Sequence, residues 1–570
     1  MRRLDTDILI LGAGGAGLFA ALHAHRADPS LSITVAVKGL LGKCGCTRMV
    51  QGGYNVALAK EDSVERHFMD TIEGGKWLPD QELAWKLVTL AVERIRELEN
   101  ELGCFFDRNP DGTIHQKAFA GQTFDRTVHK GDLTGIEIMS RLAEQVWARN
   151  IGRLEEHRAV ELLKTAAGDA LAGVLMIDMR TGEYVMVRAK AMLLATGGGP
   201  TMYRYHTPSG DKSCDGLAMA LRAGLPLRDM EMVQFHPTGL LAGPHTRMTG
   251  TVLEEGLRGA GGYLLNGAKE RFMPKYDPLA ERATRDFVSR AMVSEMRKGR
   301  VTPNGGLYIS MAHLGPDKVA QNFKGMVERC ADCGFDLAGG LVEVVPTAHY
   351  MMGGVEFEPD CSTALPGLFV AGEDAGGVHG ANRLGGNGVA NSTVFGAVAG
   401  DTMAAWVAKE GALREPDQAA LVAAVERCEP RTTGRHGALE PLRERLQDVM
   451  WEKVGIIRDA AGLRGALAEL AAIGDELARC GIADADRAFN LSWHDWLNLQ
   501  SLVATSEIIA QAALAREDSR GAHFREDFPE AGALERSAYS SVRAGAGVTM
   551  KPVAFTRVRP GASLLTRGAS

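Results

Sequence analysis

A glycine-rich loop near the start of the chain is the clearest place where residue types and spacing point to chemistry. It has the pattern G-x-G-x-x-G and consists of Gly12, Ala13, Gly14, Gly15, Ala16 and Gly17. Glycines at these positions let the backbone approach a pyrophosphate, which the N–H groups at the start of a helix can bind. The loop predicts dinucleotide binding, with a glycine-rich structural turn as the alternative. The next strand ends at Val37 and Lys38 without an acidic residue, which departs from the NAD fingerprint but leaves FAD open.

The cysteines point to little chemistry of their own. The chain has nine cysteines in 570 residues, too few for a disulfide framework. Two pairs stand close together, Cys44 with Cys46 and Cys330 with Cys333. A C-x-x-C without a second pair at metal spacing is weak evidence, so we expect a structural or incidental role and predict no metal site.

The elements that must position the glycine loop form a β-α-β unit. Residues 7–11 are an apolar run typical of a buried strand, residues 18–22 have a helical pattern, and residues 33–37 read as a second strand. Helical periodicity with dense charges follows at 83–104 and 133–150.

Strand-and-glycine character returns twice, at 188–199 and at 368–372, whereas 415–515 is helical. The predicted fold class is therefore α/β. We expect a discontinuous Rossmann-like nucleotide domain that is interrupted by a capping domain and followed by a helical domain and a short C-terminal domain, charged and then irregular. The expected bounds are 1–239 with 346–412, then 240–345, 413–515 and 516–570.

Charge and composition exclude several function classes. The net charge of −7, with no local run of Lys or Arg, opposes binding to nucleic acid or to anionic lipid. No apolar stretch is long enough for a direct membrane span, and the residues after Arg2 and Arg3 lack a signal-peptide core. We expect a cytoplasmic protein.

Longer motifs resemble those of the succinate dehydrogenase/fumarate reductase flavoprotein subunit family, which also includes L-aspartate oxidase. The resemblance runs from about residue 5 to about residue 557. The motifs that carry it are Q-G-G at 51–53, A-T-G-G at 195–198, M-E-M-V-Q-F-H-P-T-G at 230–239, E-G-L-R-G at 255–259, R-D at 285–286, P-T-A-H-Y-M-M-G-G at 346–354, G-E at 372–373, H-G-A-N-R-L-G-G-N at 379–387 and S-R-G-A-H-F-R-E-D-F at 519–528.

The resemblance implies that the nucleotide domain binds FAD. Besides the glycine loop, the cofactor contacts are expected at Lys38, Cys46, Thr47, Gln51, Gly52, Gly53, Ala195, Thr196, Gly197, Asp215, Glu373, Asn387 and Ser392. Members with covalently bound flavin have a histidine where this chain has Cys46. We therefore expect non-covalent FAD, with a thioether between Cys46 and the flavin as the alternative, and a flavin better suited to fumarate reduction than to succinate oxidation.

The resemblance also implies hydride transfer between flavin N5 and a small dicarboxylate. The expected substrate-binding residues are His236, His349, Arg383 and Glu254. Arg285 matches the family's proton donor, and Glu255 and Arg258 match the relay that returns its proton.

Glu254 departs from the family, which usually has a threonine that binds a substrate carboxylate. An ionised Glu254 at about 4 Å from that carboxylate would repel it by roughly 4 kcal/mol at an effective dielectric near 20. Three alternatives stay open: Glu254 points away, Glu254 is protonated, or the substrate carries an amino group or a neutral end. The stretch 388–392 also differs from the family's usual sequence.

Electrons need a route out of the flavin, and the chain has no C-x-x-C-x-x-C motif for an iron–sulfur cluster. The resemblance implies an iron–sulfur subunit and a membrane anchor, which would place the chain on the inner face of the membrane through its partners. One alternative is a solitary flavin oxidase of an amino or modified dicarboxylate, similar to L-aspartate oxidase, that uses dioxygen. A non-enzymatic flavin-binding protein is another alternative, against which the retained site residues argue.

Overall fold

The computed structural model of the protein describes residues 1–243, 246–432 and 438–565. The predicted domains of 240–345, 413–515 and 516–570 therefore each include a few residues outside the described ones. The part up to residue 240 alternates strands and helices: β1 (Arg2–Leu11), α1 (Gly15–Ala27), β2 (Ile33–Val37), β3 (Tyr54–Asn55), α2 (Val64–Gly74), α3 (Gln81–Asn100), β4 (Gln116–Lys117), β5 (Thr127–Val128), α4 (Thr134–Trp147), β6 (Gly152–Glu155), β7 (His157–Lys164), β8 (Leu171–Asp178), β9 (Glu183–Leu194), α5 (Asp215–Arg222), β10 (Leu227–Arg228) and β11 (Val233–Leu240).

The main sheet has the order β6-β2-β1-β9-β8-β7. Its first four strands are parallel, and β7 and β8 are antiparallel additions. Side chains 8–11 of β1 are fully buried, as expected for a parallel strand covered on both faces, and this explains the continuous apolar run in the sequence. The predicted β-α-β unit is confirmed, including the bounds of its second strand, Ile33–Val37.

The chain then leaves this sheet for a smaller unit: α6 (Gly256–Gly259), β12 (Tyr263–Leu265), α7 (Arg285–Arg297), β13 (Leu307–Ser310), α8 (Pro316–Asn322), α9 (Lys324–Ala331) and β14 (Val342–Met351). The antiparallel sheet β11-β14-β13-β12 and α7 enclose a hydrophobic cluster drawn from residues 240–344. Because β11 and β14 pair along their length, the start and the end of this unit lie side by side. The exact domain bounds remain predictions.

The chain returns to the nucleotide-type sheet through β15 (Gly354–Val355), β16 (Leu368–Val370) and α10 (Asn387–Glu410). Strand β16 pairs parallel with β9, so segments far apart in sequence complete one sheet. Helix α10 packs closely on α1, where a Cβ at Gly396 would lie 2.5 Å from Ala16 O. That contact requires glycine. The α/β fold class and the discontinuous sheet are confirmed.

The last part is helical and then forms a hairpin: α11 (Gln418–Cys428), α12 (Glu440–Lys453), α13 (Ala460–Cys480), α14 (Leu491–Ala515), β17 (Ala538–Arg543) and β18 (Gly547–Pro552). The expectation of an irregular tail is wrong for this hairpin. Strand β17 pairs with β10, and Ser540 donates a hydrogen bond to buried Glu231. Strand β10 and Glu231 lie about three hundred residues before the hairpin, so the local sequence pattern does not predict this pairing. Within the described ranges, no helix has the length and apolar character needed to cross a bilayer.

Candidate functional site

The glycine loop leaves β1 and enters α1 in a geometry that its glycines require. Gly12 has φ +114°, and a Cβ there would lie 2.0 Å from Ala195 O. A Cβ at Gly17 would lie 2.0 Å from Gly12 O. Larger residues at these positions would clash with the backbone, so only glycine allows the close packing of the loop, α1 and the end of β9. This packing leaves the N-terminus of α1 accessible to a ligand.

The loop borders a cavity of about 720 Å³ that reaches the capping unit. Most of the expected cofactor residues line it: Gly12, Ala13, Gly14, Gly15, Ala16, Lys38, Cys46, Thr47, Gln51, Gly52, Gly53, Ala195, Thr196, Gly197, Asp215, Glu373 and Ser392. Gly17 and Asn387 are not among the lining residues. The Asn387 side chain accepts from Asn55 and His67 in the protein interior, and its cofactor contact stays a prediction.

One region of the cavity holds a buried carboxylate between two cations. Asp215 accepts from Lys38 Nζ at 3.0 Å and from Arg158 Nη2 at 2.7 Å. Burial opposes ionisation of Asp215, but Arg158 and Lys38 outweigh it and hold its pKa well below the usual range. Arg158 also lines the cavity, and sequence reasoning missed it because β7 contains no recognised motif.

Another region brings together the expected substrate residues. The rings of His236 and His349 lie 5.5 Å apart. Nδ1 of His349 is 2.8 Å from Thr207 Oγ1, and Nδ1 of His236 accepts from the Thr238 N–H at 3.3 Å, so Nε2 of each ring is available to a ligand. Burial, and then the charge of Arg285, lowers the pKa of both histidines well below the usual value. Both rings are therefore neutral near pH 7.

Arg383 lines the same region and is buried. Its guanidinium carbon lies 4.3 Å from the centre of the Tyr350 ring, and its Nε has no hydrogen-bond partner among the described residues. Burial, and then repulsion from Arg285, lowers the pKa of Arg383 to about 10. The side chain is thus charged near neutral pH and available to a carboxylate.

Arg258, Glu255 and Arg285 form a buried chain of charges. Glu255 Oε1 accepts from Arg258 Nη2 at 3.0 Å, and Glu255 Oε2 accepts from Arg285 Nη2 at 2.7 Å. Burial alone would raise the pKa of Glu255, but the two guanidinium groups lower it overall. Arg285 and Glu255 line the cavity, whereas Arg258 lies behind them and donates to Glu281 O at 2.7 Å.

Glu254 also lines the cavity, and Lys117 stands beside it. Its Oε1 is 3.6 Å from Lys117 Nζ, while Oε2 has no hydrogen-bond partner in the described part of the chain. Burial raises the pKa of Glu254 although Lys117 opposes the shift. The sequence motifs did not predict a role for Lys117. Its positive charge reduces the repulsion between Glu254 and a bound dicarboxylate.

Comparisons with known proteins identify related families and structures. A family described as FAD binding domain matches residues 7–389, and one described as fumarate reductase flavoprotein C-term matches residues 443–564. The chain is 40% identical to a subunit of the fumarate reductase (CoM/CoB) of Methanothermobacter marburgensis over 533 residues, covering 92% of this chain and 95% of that one. It is 35% identical to the fumarate reductase flavoprotein subunit of Escherichia coli, covering 92% and 89%. The structure superimposes on a mutated FrdA chain of E. coli quinol fumarate reductase with a TM-score of 0.91 at 33% identity, covering 99% of both chains.

The expected cofactor, FAD, is confirmed, and the residues in place fit it. The glycine loop exposes backbone N–H groups, the Lys38–Asp215–Arg158 cluster offers polar partners, and the cavity continues to the histidines and arginines. No group of three or more His, Cys, Asp or Glu in the described residues is arranged to hold a metal ion.

We expect the FAD to be non-covalent. Burial, and then Glu373, raises the pKa of Cys46 to about 12, so its thiol stays protonated and is a poor nucleophile. Acid precipitation of the purified protein should leave the flavin in the supernatant. A yellow pellet, with flavin fluorescence on the protein band of a denaturing gel, would contradict this expectation.

Proposed function

The chain belongs to the succinate dehydrogenase/fumarate reductase flavoprotein family of FAD-dependent oxidoreductases that act on CH–CH bonds, and from this premise we propose that it reduces fumarate or a closely related dicarboxylate. The observation that supports this most strongly is the buried Arg258–Glu255–Arg285 chain, which reaches the cavity beside His236, His349 and Arg383.

The proposed substrate site holds the acid by its carboxylates. Arg383 binds one carboxylate with parallel N–H groups, which fixes its orientation as well as its affinity. His236 and His349 are neutral. His236 accepts at Nδ1, so its Nε2 can donate to the acid, and Nε2 of His349 can donate or accept according to its tautomer. When bound, FAD supplies the hydride at its N5 position.

Arg285 provides the proton that the neighbouring carbon needs. A guanidinium is a very weak acid, but a carbon that gains carbanion character is a strong enough base to take its proton. Glu255 Oε2 lies 2.7 Å from Arg285 Nη2. Because its lowered pKa keeps Glu255 ionised, Glu255 returns a proton to Arg285 only after taking one from Arg258, which donates to its other oxygen. The succinate-oxidising direction would need Arg285 as a base and is less favourable.

An anaerobic flavin reoxidation assay tests the proposal. The purified protein is reduced with dithionite without oxygen, and the flavin absorbance band is followed after addition of fumarate. We expect rapid reoxidation by fumarate and slow bleaching of the oxidised protein by succinate. No reoxidation by fumarate, together with bleaching by aspartate and peroxide formation in air, would favour the alternative of a solitary amino-dicarboxylate oxidase.

We also propose that the chain works as one component of a larger enzyme. The relatives described above are named as subunits, and one carries CoM/CoB in its name. An iron–sulfur partner would carry electrons to or from the flavin, and a membrane anchor bound to that partner would hold the chain at the inner face of the membrane. Purification of the tagged chain from its own cells, followed by iron analysis and identification of co-purifying proteins, tests this.

Glu254 should weaken the binding of plain dicarboxylates. A threonine hydroxyl can donate to a carboxylate, whereas an ionised Glu254 only accepts, even with Lys117 beside it. Glu254→Thr should strengthen malonate or fumarate binding by more than about tenfold, or about 1.4 kcal/mol, measured through the flavin spectrum.

The isosteric variant Glu254→Gln separates charge from hydrogen bonding in this experiment. Equal gains from both substitutions would assign the effect to charge. If wild type already binds fumarate tightly and neither variant changes the affinity, Glu254 does not face the ligand and plain fumarate becomes the better substrate assignment.

A further inference from the structure

Gln234 is a fully buried side chain on β11 that joins two parts of the site. Its Oε1 accepts from Arg285 Nη1 at 3.0 Å. Its Nε2 donates to Arg383 O at 2.7 Å and to Asn382 Oδ1 at 3.1 Å. The side chain lies inside the V-Q-F-H-P-T-G motif, where sequence reasoning gave a role only to His236.

The amide of Gln234 has one chemically consistent orientation. A guanidinium only donates hydrogen bonds and a backbone carbonyl only accepts them. The oxygen must therefore face Arg285 and the nitrogen must face the Arg383 carbonyl. The two ends of one rigid amide thus contact two elements, α7 and the loop before α10.

The bonds of Arg285 explain why a second anchor matters. Its Nε and Nη2 both donate to the same oxygen, Glu255 Oε2, at 3.2 and 2.7 Å. Two bonds that converge on one atom fix the guanidinium plane less firmly than bonds to two separate acceptors. The bond from Nη1 to Gln234 adds a separate fixed point, and the guanidinium's remaining hydrogens stay available for the cavity.

We propose that Gln234 is a positioning residue that anchors the proton donor Arg285 to the loop carrying Arg383, so that Arg285 keeps its place relative to the bound carboxylate. The inference rests on the proposed function, because it assigns those roles to the two arginines. Proton transfer needs Arg285 at a fixed place relative to a substrate whose carboxylate is fixed by Arg383. A misplacement of about 1 Å can lower a rate by roughly 10²-fold.

Gln234→Leu tests the proposal, with Ser289→Ala as the matched control. Ser289 is also buried and lies on α7, but its hydroxyl donates to Phe235 O at 3.3 Å rather than to a charged residue of the site. Gln234→Leu should lower kcat for fumarate reduction by about 10- to 100-fold. Malonate affinity should change by less than about threefold, which is well below the about 1.4 kcal/mol of a tenfold change. FAD content should also stay within about threefold of wild type. Ser289→Ala should leave kcat, malonate affinity and FAD content near wild-type values.

A double-mutant cycle identifies the partner through which Gln234 acts. In an Arg285→Gln background, Gln234→Leu should reduce the residual rate by less than about twofold, because the group that it positions is gone. Full additivity of the two losses, or a Gln234→Leu defect confined to KM or to FAD content, would overturn the proposal.

Gln234→Met provides a second variant if Gln234→Leu does not fold. It keeps the length of the side chain but cannot accept from Arg285 Nη1, so it should lower kcat by at least about tenfold, and a wild-type kcat would count against the positioning role. A wild-type protein that does not reduce fumarate contradicts the proposed function, and the inference falls with it. An active wild type with an unaffected Gln234→Leu variant contradicts the inference alone.

Discussion

Arg285→Gln should abolish fumarate reduction while FAD stays bound. The expected loss in kcat is about 10²–10⁴-fold, the usual contribution of a positioned general acid. The physical reason is that glutamine cannot supply a proton to the carbon, although it can fill part of the space and donate to Glu255. Steady-state rates with a reduced dye, together with the flavin absorbance of the purified variant, measure both effects.

Arg282→Gln is the matched control for this experiment. Arg282 lies three residues earlier in the chain and is exposed, so its loss should leave the rate near that of wild type. A loss below about tenfold for Arg285→Gln would be too small for the proton donor and would move that role to another group.

Much of the nucleotide-binding part could be predicted because its signals are local. The glycine loop has a fixed spacing, and the strands on either side are short apolar runs that become fully buried. The tight contacts of Gly12 and Gly17 are the physical reason that this spacing carries so much information.

Other parts could not be predicted because their partners are far away in the chain. The position of the β17–β18 hairpin is set by pairing with β10. Arg158 lies in an ordinary strand, and its role arises only when Asp215 packs against it. Lys117 becomes important only through Glu254, which alone looked like an uncompensated charge.

Asn387 is a motif residue whose expected cofactor contact stays a prediction, because its side chain makes its hydrogen bonds elsewhere. Within the H-G-A-N-R-L-G-G-N motif, its amide bonds to the protein interior, whereas Arg383 reaches the cavity. A motif therefore identifies a segment more reliably than it assigns roles to each residue in that segment. Gln234 was overlooked for the same reason.

Arg383→Met should weaken the binding of fumarate and malonate by at least about 100-fold, or roughly 2.8 kcal/mol. Hydrogen bonds to charged groups contribute about 1.5–3 kcal/mol each, and a guanidinium can make two of them to one carboxylate. Methionine keeps much of the side-chain volume against Tyr350 but offers no donor. Titration of the flavin spectrum measures the affinity without requiring turnover.

Two further measurements show whether the charge and the shape of Arg383 both matter. Arg383→Lys keeps the charge but not the planar fork, so its affinity should lie between those of wild type and Arg383→Met. Because burial and Arg285 lower the pKa of Arg383 to about 10, its charge is present below that value and is lost as the pH rises through it. Wild-type affinity should therefore be constant near neutral pH and decrease as the pH approaches about 10. Binding by Arg383→Met within about tenfold of wild type would show that the carboxylate is held elsewhere, with His236 and His349 as the next candidates.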